Sequence, residues 1–275
     1  MWSSSKNGIL DRSRPGLTTT TTGAGVQQGA GGKYATVGQK KERRRGGKQA
    51  QKRRVKGHMR RVDVRIGTLN VGTMTGKGRE LADMIERRKL DILCVQETKW
   101  RGSKARLIGG GFKLFYHGMD GMRNGVGVVV NEKYINSILE VRRVSDRVIS
   151  VKMEIDGVLM NVISAYAPQV GCEWEEKEEF WNEVEGVIQS LPREERMTIG
   201  ADFNGHVGEG NGGDEGVMGR YGFGERNAEG QMVIDSSQRM EMAVVNTYFK
   251  KKEEQHTRVE DGVHRLTVSC VGGVT

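Results

Sequence analysis

The pattern of hydrophobic and polar positions along this chain changes at Val62. Upstream of it no stretch alternates or repeats with helical spacing, and Ser, Thr and Gly dominate residues 1–32. Such a composition cannot bury enough apolar surface to offset the entropy of ordering, which predicts a disordered tail over 1–61. From Val62 onward the apolar positions follow strand and helix periods, which predicts a folded domain over 62–253 and a divergent tail over 254–275.

Strands and helices are predicted throughout the folded region. Alternating or continuous apolar runs predict strands at 62–70, 91–97, 111–117, 125–132, 148–155, 158–168, 197–203 and 241–249. Apolar residues at helical spacing predict helices at 76–90, 173–191 and 228–240. Asp156-Gly157 between two strands is a typical two-residue hairpin turn. Hairpins interspersed with amphipathic helices indicate an α/β protein with mixed or antiparallel sheets.

The net charge of +9 belongs to the tail alone. Residues 1–61 hold 16 of the 44 Lys and Arg but only two of the 35 acids, which leaves 28 basic and 33 acidic residues for 62–275. Two basic clusters within 40–61 fit a nuclear import signal or an arm that binds phosphate, and a solvated charge run is the alternative. The expected compartment is therefore the nucleus, with the cytoplasm as an additional compartment.

Several protein classes are excluded by what the sequence lacks. No apolar run approaches the roughly 20 residues of a membrane-spanning helix, and the first 20 residues lack the apolar stretch of a secretory signal. Cys94, Cys172 and Cys270 share no CxxC spacing, so we expect neither a disulfide framework nor a cysteine-rich zinc site. The Gly-rich segment 205–224 lacks the context of a nucleotide-binding loop. We expect a soluble chain that binds no membrane and no small-molecule cofactor.

Polar side chains stand at the ends of four predicted strands. Asn70 follows RIGTL, Glu97 follows ILCVQ, Tyr166 follows NVISA, and Asp202 and Asn204 close MTIGADFN. A lone carboxylate at such a place is more often a surface residue or a helix cap. The set differs, because strand ends are where α/β proteins place sites and these oxygen ligands suit Mg²⁺. We expect a Mg²⁺ site, with Mn²⁺ as an alternative cation.

Four short motifs carry a resemblance to a known family. TLN at 68–70, QET at 96–98, SAYAP at 164–168 and GADFNGHVG at 200–208, in this order, resemble the endonuclease/exonuclease/phosphatase superfamily. Within it they are most similar to the apurinic/apyrimidinic-endonuclease-type domain of non-LTR retrotransposons. The resemblance implies a four-layer α/β sandwich, in which two packed mixed sheets are flanked by helices. It also implies Mg²⁺-dependent hydrolysis of a DNA phosphodiester.

The resemblance assigns a role to each residue at the strand ends. Glu97 resembles the carboxylate that ligates the metal, and Asn70 resembles its neighbour on the metal side. Asp202 resembles the acid that activates or orients the attacking water, and Asn204 resembles the amide that holds the scissile phosphate. Tyr166 resembles the phenol near the phosphate and the leaving group. A carboxylate is a suitable base for a polarised water, and an amide can donate to phosphate without adding charge.

Three further residues are candidates for substrate binding, and each has an alternative role. Arg147 can pair with phosphate, or equally with Asp146 or another neighbouring acid. His206 lies near the site in sequence, but a loop or packing role is the favoured alternative. Asn227 lies in a polar loop that can touch a DNA strand, and N-capping of the following helix explains it equally well.

The resemblance is incomplete on the C-terminal side. Relatives carry a further strand with an Asp, written IDYI, and a Ser-Asp-His motif, and neither occurs in this sequence. We therefore expect the last strands to be missing, a sheet edge to be left unpaired, and hydrolysis to be much slower than in a relative with both motifs. A catalytically inactive nuclear protein that binds nucleic acid or protein is the alternative. DNA is the expected partner, and the oligomeric state is left open.

Overall fold

The computed structural model describes residues 7–11, 62–250 and 267–271, with only the backbone for the first and last of these ranges. The described residues all belong to one compact unit, and a second unit, residues 16–59, lies outside them. No helix in the described ranges is both long enough and apolar enough to cross a membrane.

Twelve strands and three α-helices make up the described fold. The strands are β1 (Asn7–Asp11), β2 (Val64–Asn70), β3 (Ile92–Gln96), β4 (Gly102–Gly109), β5 (Phe112–Gly118), β6 (Val126–Asn131), β7 (Ile138–Ser145), β8 (Val148–Ile155), β9 (Val158–Tyr166), β10 (Arg196–Asp202), β11 (Ala243–Val244) and β12 (Thr267–Val271). The helices are α1 (Gly78–Arg88), α2 (Trp174–Gln189) and α3 (Ala228–Arg239). Two 3-10 helices span Glu132–Ser137 and Val245–Tyr248.

The strands form two six-stranded mixed sheets. Sheet 1 has the order β11-β1-β10-β9-β8-β7, and sheet 2 has the order β12-β2-β3-β6-β5-β4. Each sheet contains one parallel pair, β9 with β10 in sheet 1 and β2 with β3 in sheet 2. The other pairs are antiparallel.

Three apolar cores separate four layers. The inner faces of the two sheets enclose a core that includes Ile66, Cys94, Val128, Val151 and Val162. On the outer face of sheet 1, the apolar stripes of α2 and α3 pack in a second core with members such as Phe180, Val184, Ile199 and Ile234. On the outer face of sheet 2, α1 packs through Leu81 and Ile85 against Leu93 and its neighbours. The expected four-layer α/β sandwich is therefore confirmed.

The hairpin between β8 and β9 shows how local sequence directs this topology. Asp156 and Gly157 both have positive φ, 52° and 74°, as the two central residues of a type I′ turn require. The turn places Ile155 opposite Val158 and continues in register to Val148 opposite Ala165. The predicted hairpin is confirmed.

Two sheet positions differ from the expectation of an unpaired edge. β1 lies between β10 and β11 and pairs antiparallel with β10, with Asn7 opposite Asp202. β12 pairs antiparallel with β2 in sheet 2. An open edge presents unpaired N–H and C=O groups that any available strand can satisfy. The expectation of an open edge is thus wrong at β10 and at β2, and the predicted disorder of 1–61 is wrong for the five residues of β1.

The remaining domain predictions fall largely outside the described residues. Residues 12–61 are not described, so the disorder expected there stays a prediction. The predicted boundary at Val62 lies two residues before β2 begins. β12 lies within the expected divergent tail 254–275, so five residues of that tail belong to a sheet.

The predicted strand over 241–249 is wrong for most of its length. Only Ala243–Val244 pair as a strand, and Val245–Tyr248 form a 3-10 helix. The Thr247 hydroxyl donates to Val244 O at 2.6 Å and accepts from Gly219 N at 2.7 Å. These bonds turn the chain before a longer strand can form.

Candidate active site

The parallel pair of each sheet ends where the two sheets meet. In sheet 1 the register places Tyr166 opposite Asp202, the last residues of β9 and β10. In sheet 2 it places Asn70 opposite Gln96, the last residues of β2 and β3, and Glu97 follows directly. Side chains from separate parts of the chain therefore gather at one end of the sandwich, as expected for a site on strand ends.

Asn70 joins the two carboxylates of this site. Its Nδ2 donates to Glu97 Oε1 at 2.8 Å and to Asp202 Oδ2 at 2.9 Å, which links sheet 2 to sheet 1. Its Oδ1 accepts from Gly72 N at 2.9 Å. The side chain is 2% exposed. Asn70 thus positions both acids through its N–H groups, and its oxygen is bonded to the backbone.

Glu97 is held in an uncommon conformation with its two oxygens in different surroundings. Its φ is 55°, in the left-handed region that non-glycine residues seldom adopt. Oε1 accepts from Asn70 and from Tyr166 OH, the latter at 2.6 Å, while Oε2 lies 3.3 Å from Lys99 Nζ. Burial raises the pKa of Glu97, but these two donors and the Lys99 ammonium outweigh it and hold the pKa below its usual range. The carboxylate is therefore ionised at neutral pH.

Tyr166 is a buried phenol that stays protonated. Burial raises its pKa, and the hydrogen bond to Glu97 together with the charge of that carboxylate raises it further. The hydroxyl therefore remains a donor at neutral pH. The Arg147 guanidinium lies over the ring, 5.5 Å from its centre, and donates to Tyr166 O at 3.2 Å.

Asp202 and Asn204 are fixed by the turn that follows β10. Asp202 is 2% exposed, and its Oδ1 accepts from Asn204 N at 3.1 Å. Asn204 has φ of 48°, and its Nδ2 donates to Ala167 O at 2.8 Å. Asn204 therefore ties the end of β10 to the residue after Tyr166, within the group of predicted site residues.

Of the alternatives left open for Arg147, the structure shows pairing with an acid, and that acid is not Asp146. Its guanidinium forms an ion pair with Glu176 of α2, while Asp146 instead accepts from Asn124 Nδ2 at 2.9 Å. Arg147 also lines the cavity beside Glu97. The structure thus places it at the site with its charge partly balanced.

Asn227 and His206 are bonded to each other at the start of α3. Asn227 Oδ1 accepts from Gly230 N at 2.9 Å and from His206 N at 2.8 Å, so Asn227 is the N-cap of α3. His206 is exposed, and neither residue lines the site cavity. The capping role proposed as the alternative for Asn227 is therefore present, and the substrate contacts of both residues stay predictions.

A cavity of about 510 Å³ opens beside Glu97. Sequence reasoning included three of the ten residues that line it. The full lining is Glu97, Lys99, Met122, Arg123, Asn124, Arg147, Tyr166, Gln169, Cys172 and Glu176. The cavity thus combines two carboxylates with three cationic side chains next to the predicted site.

Comparison with known proteins assigns the family. The model of the endonuclease/exonuclease/phosphatase family matches residues 67–213, more than half of the chain. The chain belongs to this family. The matched span contains Asn70, Glu97, Tyr166 and Asp202. Members of this family are hydrolases that act on phosphoester bonds and generally use divalent metal ions.

The chain is similar to two curated relatives. It is 31% identical over 188 residues to craniofacial development protein 2 of Bos taurus, covering 68% of this chain and 31% of that protein. It is 30% identical over 188 residues to craniofacial development protein 2 of Tragulus javanicus, with 68% and 32% covered. The chain therefore spans about a third of the length of the curated relatives it matches.

Solved structures with similarity to this chain include two nucleases. An AP endonuclease from Archaeoglobus fulgidus has 19% identity and a TM-score of 0.47, with 64% of this chain and 70% of that chain covered. The endonuclease domain of TRAS1, a telomere-specific non-LTR retrotransposon, has 15% identity and a TM-score of 0.43, also with 64% and 70% covered.

The residues at the site fit the divalent cation that this family generally uses. Among the described residues, no three His, Cys, Asp or Glu side chains form a metal-binding group. Mg²⁺, however, is commonly held by only one or two carboxylates, with waters and substrate phosphate as further ligands. Glu97 and Asp202 supply two, and both donors to Glu97 from Asn70 and Tyr166 converge on Oε1. The hard oxygen donors therefore suit a cation of this kind at Oε2.

Buried polar residues behind the site went unrecognised in the sequence. Gln96 Nε2 lies 3.1 Å from each of Thr68 Oγ1, Ser164 Oγ and Gly200 O. These groups belong to both sheets, so Gln96 bridges them directly behind Glu97. The QET motif was the sequence signal that could have identified Gln96. The motif does not show, however, whether the side chain of Gln96 points between the sheets or toward solvent.

Proposed function

We propose that this chain is a Mg²⁺-dependent phosphodiesterase of the endonuclease type that hydrolyses DNA, with Mn²⁺ as an alternative cation. The observation that carries the proposal is the linkage of Glu97 and Asp202 through the Asn70 amide, beside a cavity with cationic walls. Two separate sheets contribute to this linkage. The two carboxylates lie close together with little exposure, and the repulsion between them lowers the stability of the fold. The arrangement is therefore better explained by function than by stability.

Each site residue has a part in this reaction. Glu97 Oε2 would hold the cation, which when bound supplies positive charge that neutralises the phosphate in the transition state. Asp202, oriented by Asn70 and by Asn204 N, accepts the proton of the attacking water. The water oxygen bonds to phosphorus as the bond from phosphorus to the ester oxygen breaks, and the departing oxygen takes a proton from solvent.

The remaining residues orient the phosphate and the leaving oxygen. Tyr166 keeps its proton at neutral pH and donates a hydrogen bond to Glu97 Oε1. Because it is neutral, it can lie next to the phosphate without repelling it. Asn204, whose Nδ2 donates to Ala167 O, lies beside Asp202 and would hold the phosphate, as the resemblance implies. Arg147, stacked over Tyr166, places a cation at the cavity wall.

Two charge features support DNA as the substrate. Residues 1–61 carry 16 basic residues against two acids, and Lys99, Arg123 and Arg147 line the cavity. Cations at both places favour a polyanion over a small soluble phosphoester, because each neutralised DNA phosphate releases a condensed counterion. Because the region after residue 61 is net acidic, its contacts with DNA phosphates would come from the cations of the cavity.

Nicking of supercoiled plasmid by the full chain tests this proposal. We expect relaxed circles to form with Mg²⁺ and not with EDTA, and Asp202→Asn to slow nicking by about 100-fold or more. Asp235→Asn, an exposed acid on α3, removes the same charge away from the site and should nick like the wild type.

The absolute rate is expected to be low. Among the described residues, none that lines the cavity is a His, and the IDYI and Ser-Asp-His motifs of relatives do not occur in the sequence; loss of one such phosphate-stabilising donor costs about 10²–10³ in rate. Plasmid binding without nicking at high enzyme concentration and long incubation would contradict hydrolysis and favour the inactive nucleic-acid-binding protein. Equal nicking by Asp202→Asn would contradict the site.

The basic clusters of the tail support nuclear import as a further proposal. A fluorescent reporter fused to residues 1–61 should concentrate in the nucleus. Neutralising Arg43 to Arg45 and Lys52 to Arg54 should make it diffuse, because receptors of such signals read clustered charge. Diffuse signal from the unaltered fusion would contradict this proposal without affecting the one on hydrolysis.

A further inference from the structure

Lys99 lines the cavity and contacts Glu97, although the catalytic roles above leave it unused. Its φ is 50° and that of Glu97 is 55°, so two left-handed non-glycine residues flank Thr98. Such conformations cost free energy and persist only where surrounding contacts hold them. Here Lys99 N donates to Asn124 O at 3.1 Å and Thr98 N donates to Gly125 O at 2.9 Å. The double bend turns the side chains of Glu97 and Lys99 into the same cavity.

The Lys99 ammonium contacts the carboxylate oxygen that a cation would use. Glu97 Oε1 accepts from Asn70 Nδ2 and Tyr166 OH, at 2.8 and 2.6 Å. Glu97 Oε2 instead lies 3.3 Å from Lys99 Nζ, and the Lys99 side chain is 35% exposed. An ammonium that is one-third exposed on a flexible four-carbon stem moves with little loss of contacts.

The other cations of the cavity are held by other acids. Arg147 pairs with Glu176, and Arg123 Nε lies 3.9 Å from Asp120 Oδ2. Lys99 differs from both, because its ion pair is with the carboxylate proposed to hold the metal. Whether a carboxylate balances the charge of Lys99 therefore depends on whether a cation occupies Glu97.

We infer that Lys99 is a displaceable counter-ion, which neutralises Glu97 in the metal-free protein and turns to the substrate phosphate when a divalent cation binds. The inference rests on the proposed function for its cation and for its phosphate substrate. Two cations at one carboxylate oxygen repel each other, so Lys99 leaves Oε2 when that oxygen is taken. With Arg147 balanced by Glu176, the freed Lys99 ammonium is a positive charge in the cavity without an acid opposite, which fits a phosphodiester anion.

This device makes Lys99 a positioning residue that couples two binding events. In the metal-free protein Lys99 pairs with Glu97, so an incoming cation must displace it and binds more weakly. Once metal is bound, Lys99 strengthens binding of phosphate. Metal and DNA should then each raise the affinity of the other, and by thermodynamic linkage the two factors must be equal.

Titration of the full chain with Mn²⁺ in the absence of DNA tests the first half. We expect Lys99→Met to bind Mn²⁺ about three- to ten-fold more tightly than wild type, because the substitution removes a positive charge that repels Mn²⁺ at contact distance. The effect is limited to this size because solvent screens the repulsion at a partly exposed site. Arg123→Met is the matched control, because it removes one positive charge from the same cavity without contact to Glu97. It should change Mn²⁺ affinity by less than about two-fold. Lys99→Arg keeps the charge and should stay near wild type.

Fluorescence anisotropy of a short DNA duplex tests the second half. Ca²⁺ replaces Mg²⁺ so that binding is measured without cleavage, and EDTA gives the metal-free affinity. The ratio of the two affinities should be smaller by about three-fold or more in Lys99→Met than in wild type. Arg123→Met should weaken duplex binding with Ca²⁺ and with EDTA by the same factor and so leave the ratio unchanged. Circular dichroism melting checks that each variant folds, and Lys99→Gln replaces Lys99→Met if the latter does not fold.

The outcomes separate this inference from the proposed hydrolysis. Unchanged Mn²⁺ affinity in Lys99→Met overturns it, and so does an undiminished effect of Ca²⁺ on duplex binding. Tighter Mn²⁺ binding together with reduced coupling supports it even if plasmid is never nicked, in which case only the proposed hydrolysis fails. Plasmid nicking with wild-type metal affinity in Lys99→Met supports the proposed function and overturns the role of Lys99.

Discussion

Two carboxylates of this protein have nearly the same partners and different surroundings. We define the Glu97 cluster as Asn70, Glu97, Lys99 and Tyr166, and the Glu195 cluster as Lys152, Asn161 and Glu195. In each, a Glu accepts from an Asn amide and pairs with a Lys ammonium. In each, burial raises the pKa of the Glu, and the donors outweigh burial and lower it.

The clusters differ in how the oxygens are used. In the Glu195 cluster, Lys152 Nζ contacts Oε1 and Asn161 Nδ2 contacts Oε2, so both oxygens are engaged from inside the protein. In the Glu97 cluster, the two neutral donors share Oε1, and Oε2 is left to Lys99 and the cavity.

The backbone differs as well. Glu97 follows the end of β3 in a left-handed conformation, whereas Glu195 directly precedes β10 and is not among the residues with positive φ. Donor type alone therefore does not mark a site. A functional site is indicated instead by a carboxylate with one oxygen open to a cavity and a backbone conformation that costs free energy.

Removing the two carboxylates one at a time is the strongest test of this contrast. Glu97→Gln should abolish tight Mn²⁺ binding and slow nicking by about 10²–10³, because it removes a charge that acts on the transition state. Glu195→Gln should keep nicking within about two-fold and lower the free energy of unfolding by about 1–3 kcal/mol, because Lys152 loses its partner. Plasmid nicking and urea unfolding of both variants provide the measurements.

The opposite results would contradict the distinction between a functional Glu97 cluster and a structural Glu195 cluster. A Glu97→Gln variant that nicks normally but unfolds at lower urea would make the Glu97 cluster structural. A Glu195→Gln variant that loses nicking while keeping its stability would make the Glu195 cluster part of the site.

Removing the neutral phenol from the Glu97 cluster should give a smaller effect. Tyr166→Phe deletes a donor that lowers the pKa of Glu97, so this pKa rises toward its usual value and the acid limb of the pH–rate profile moves to higher pH. We expect nicking at neutral pH to fall by about ten-fold, as for a lost donor near the phosphate. An acid limb that stays in place while the rate falls would show that Tyr166 acts on the phosphate alone.

The smallest expected effect is the pH dependence of stability from the Glu195 cluster. The folded-state pKa of Glu195 lies below the ordinary value of 4.5, so its contribution is complete above about pH 4.5 and is lost as pH falls through the folded-state pKa. The stability difference between wild type and Glu195→Gln should therefore be constant from about pH 6 to 8 and shrink below about pH 4.5. A difference that grows on acidification would mean that the carboxyl is better held when protonated.

The elements that sequence predicted best are those that bury one face. β3, α2 and β10 match their predictions closely, because their apolar periods are dictated by packing. β4 was not predicted, since five consecutive residues of this edge strand are exposed and no alternation is visible. β7, another edge strand with mixed burial, was missed for the same reason.

The candidate site was predictable as a set of residues and not as a geometry. Motif order placed Asn70, Glu97, Tyr166 and Asp202 together, and the hydrogen bonds among them agree with that grouping. The orientation of the Asn70 amide depends on Glu97 and Asp202, and the left-handed bend at Lys99 depends on its bond to Asn124 O. No local sequence pattern encodes these contacts between separate parts of the chain. The catalytic roles themselves stay predictions until nicking is measured.

The pairing of β1 with β10 has a consequence for biosynthesis. β1 is translated before the other eleven described strands, while the strand it pairs with is the tenth. Chain elongation at about 5–20 residues per second leaves β1 without this partner for many seconds, and closure of so long a loop is slow. Asp202 can therefore gain its final neighbours only after nearly the whole sandwich has left the ribosome, so the site is expected to mature last.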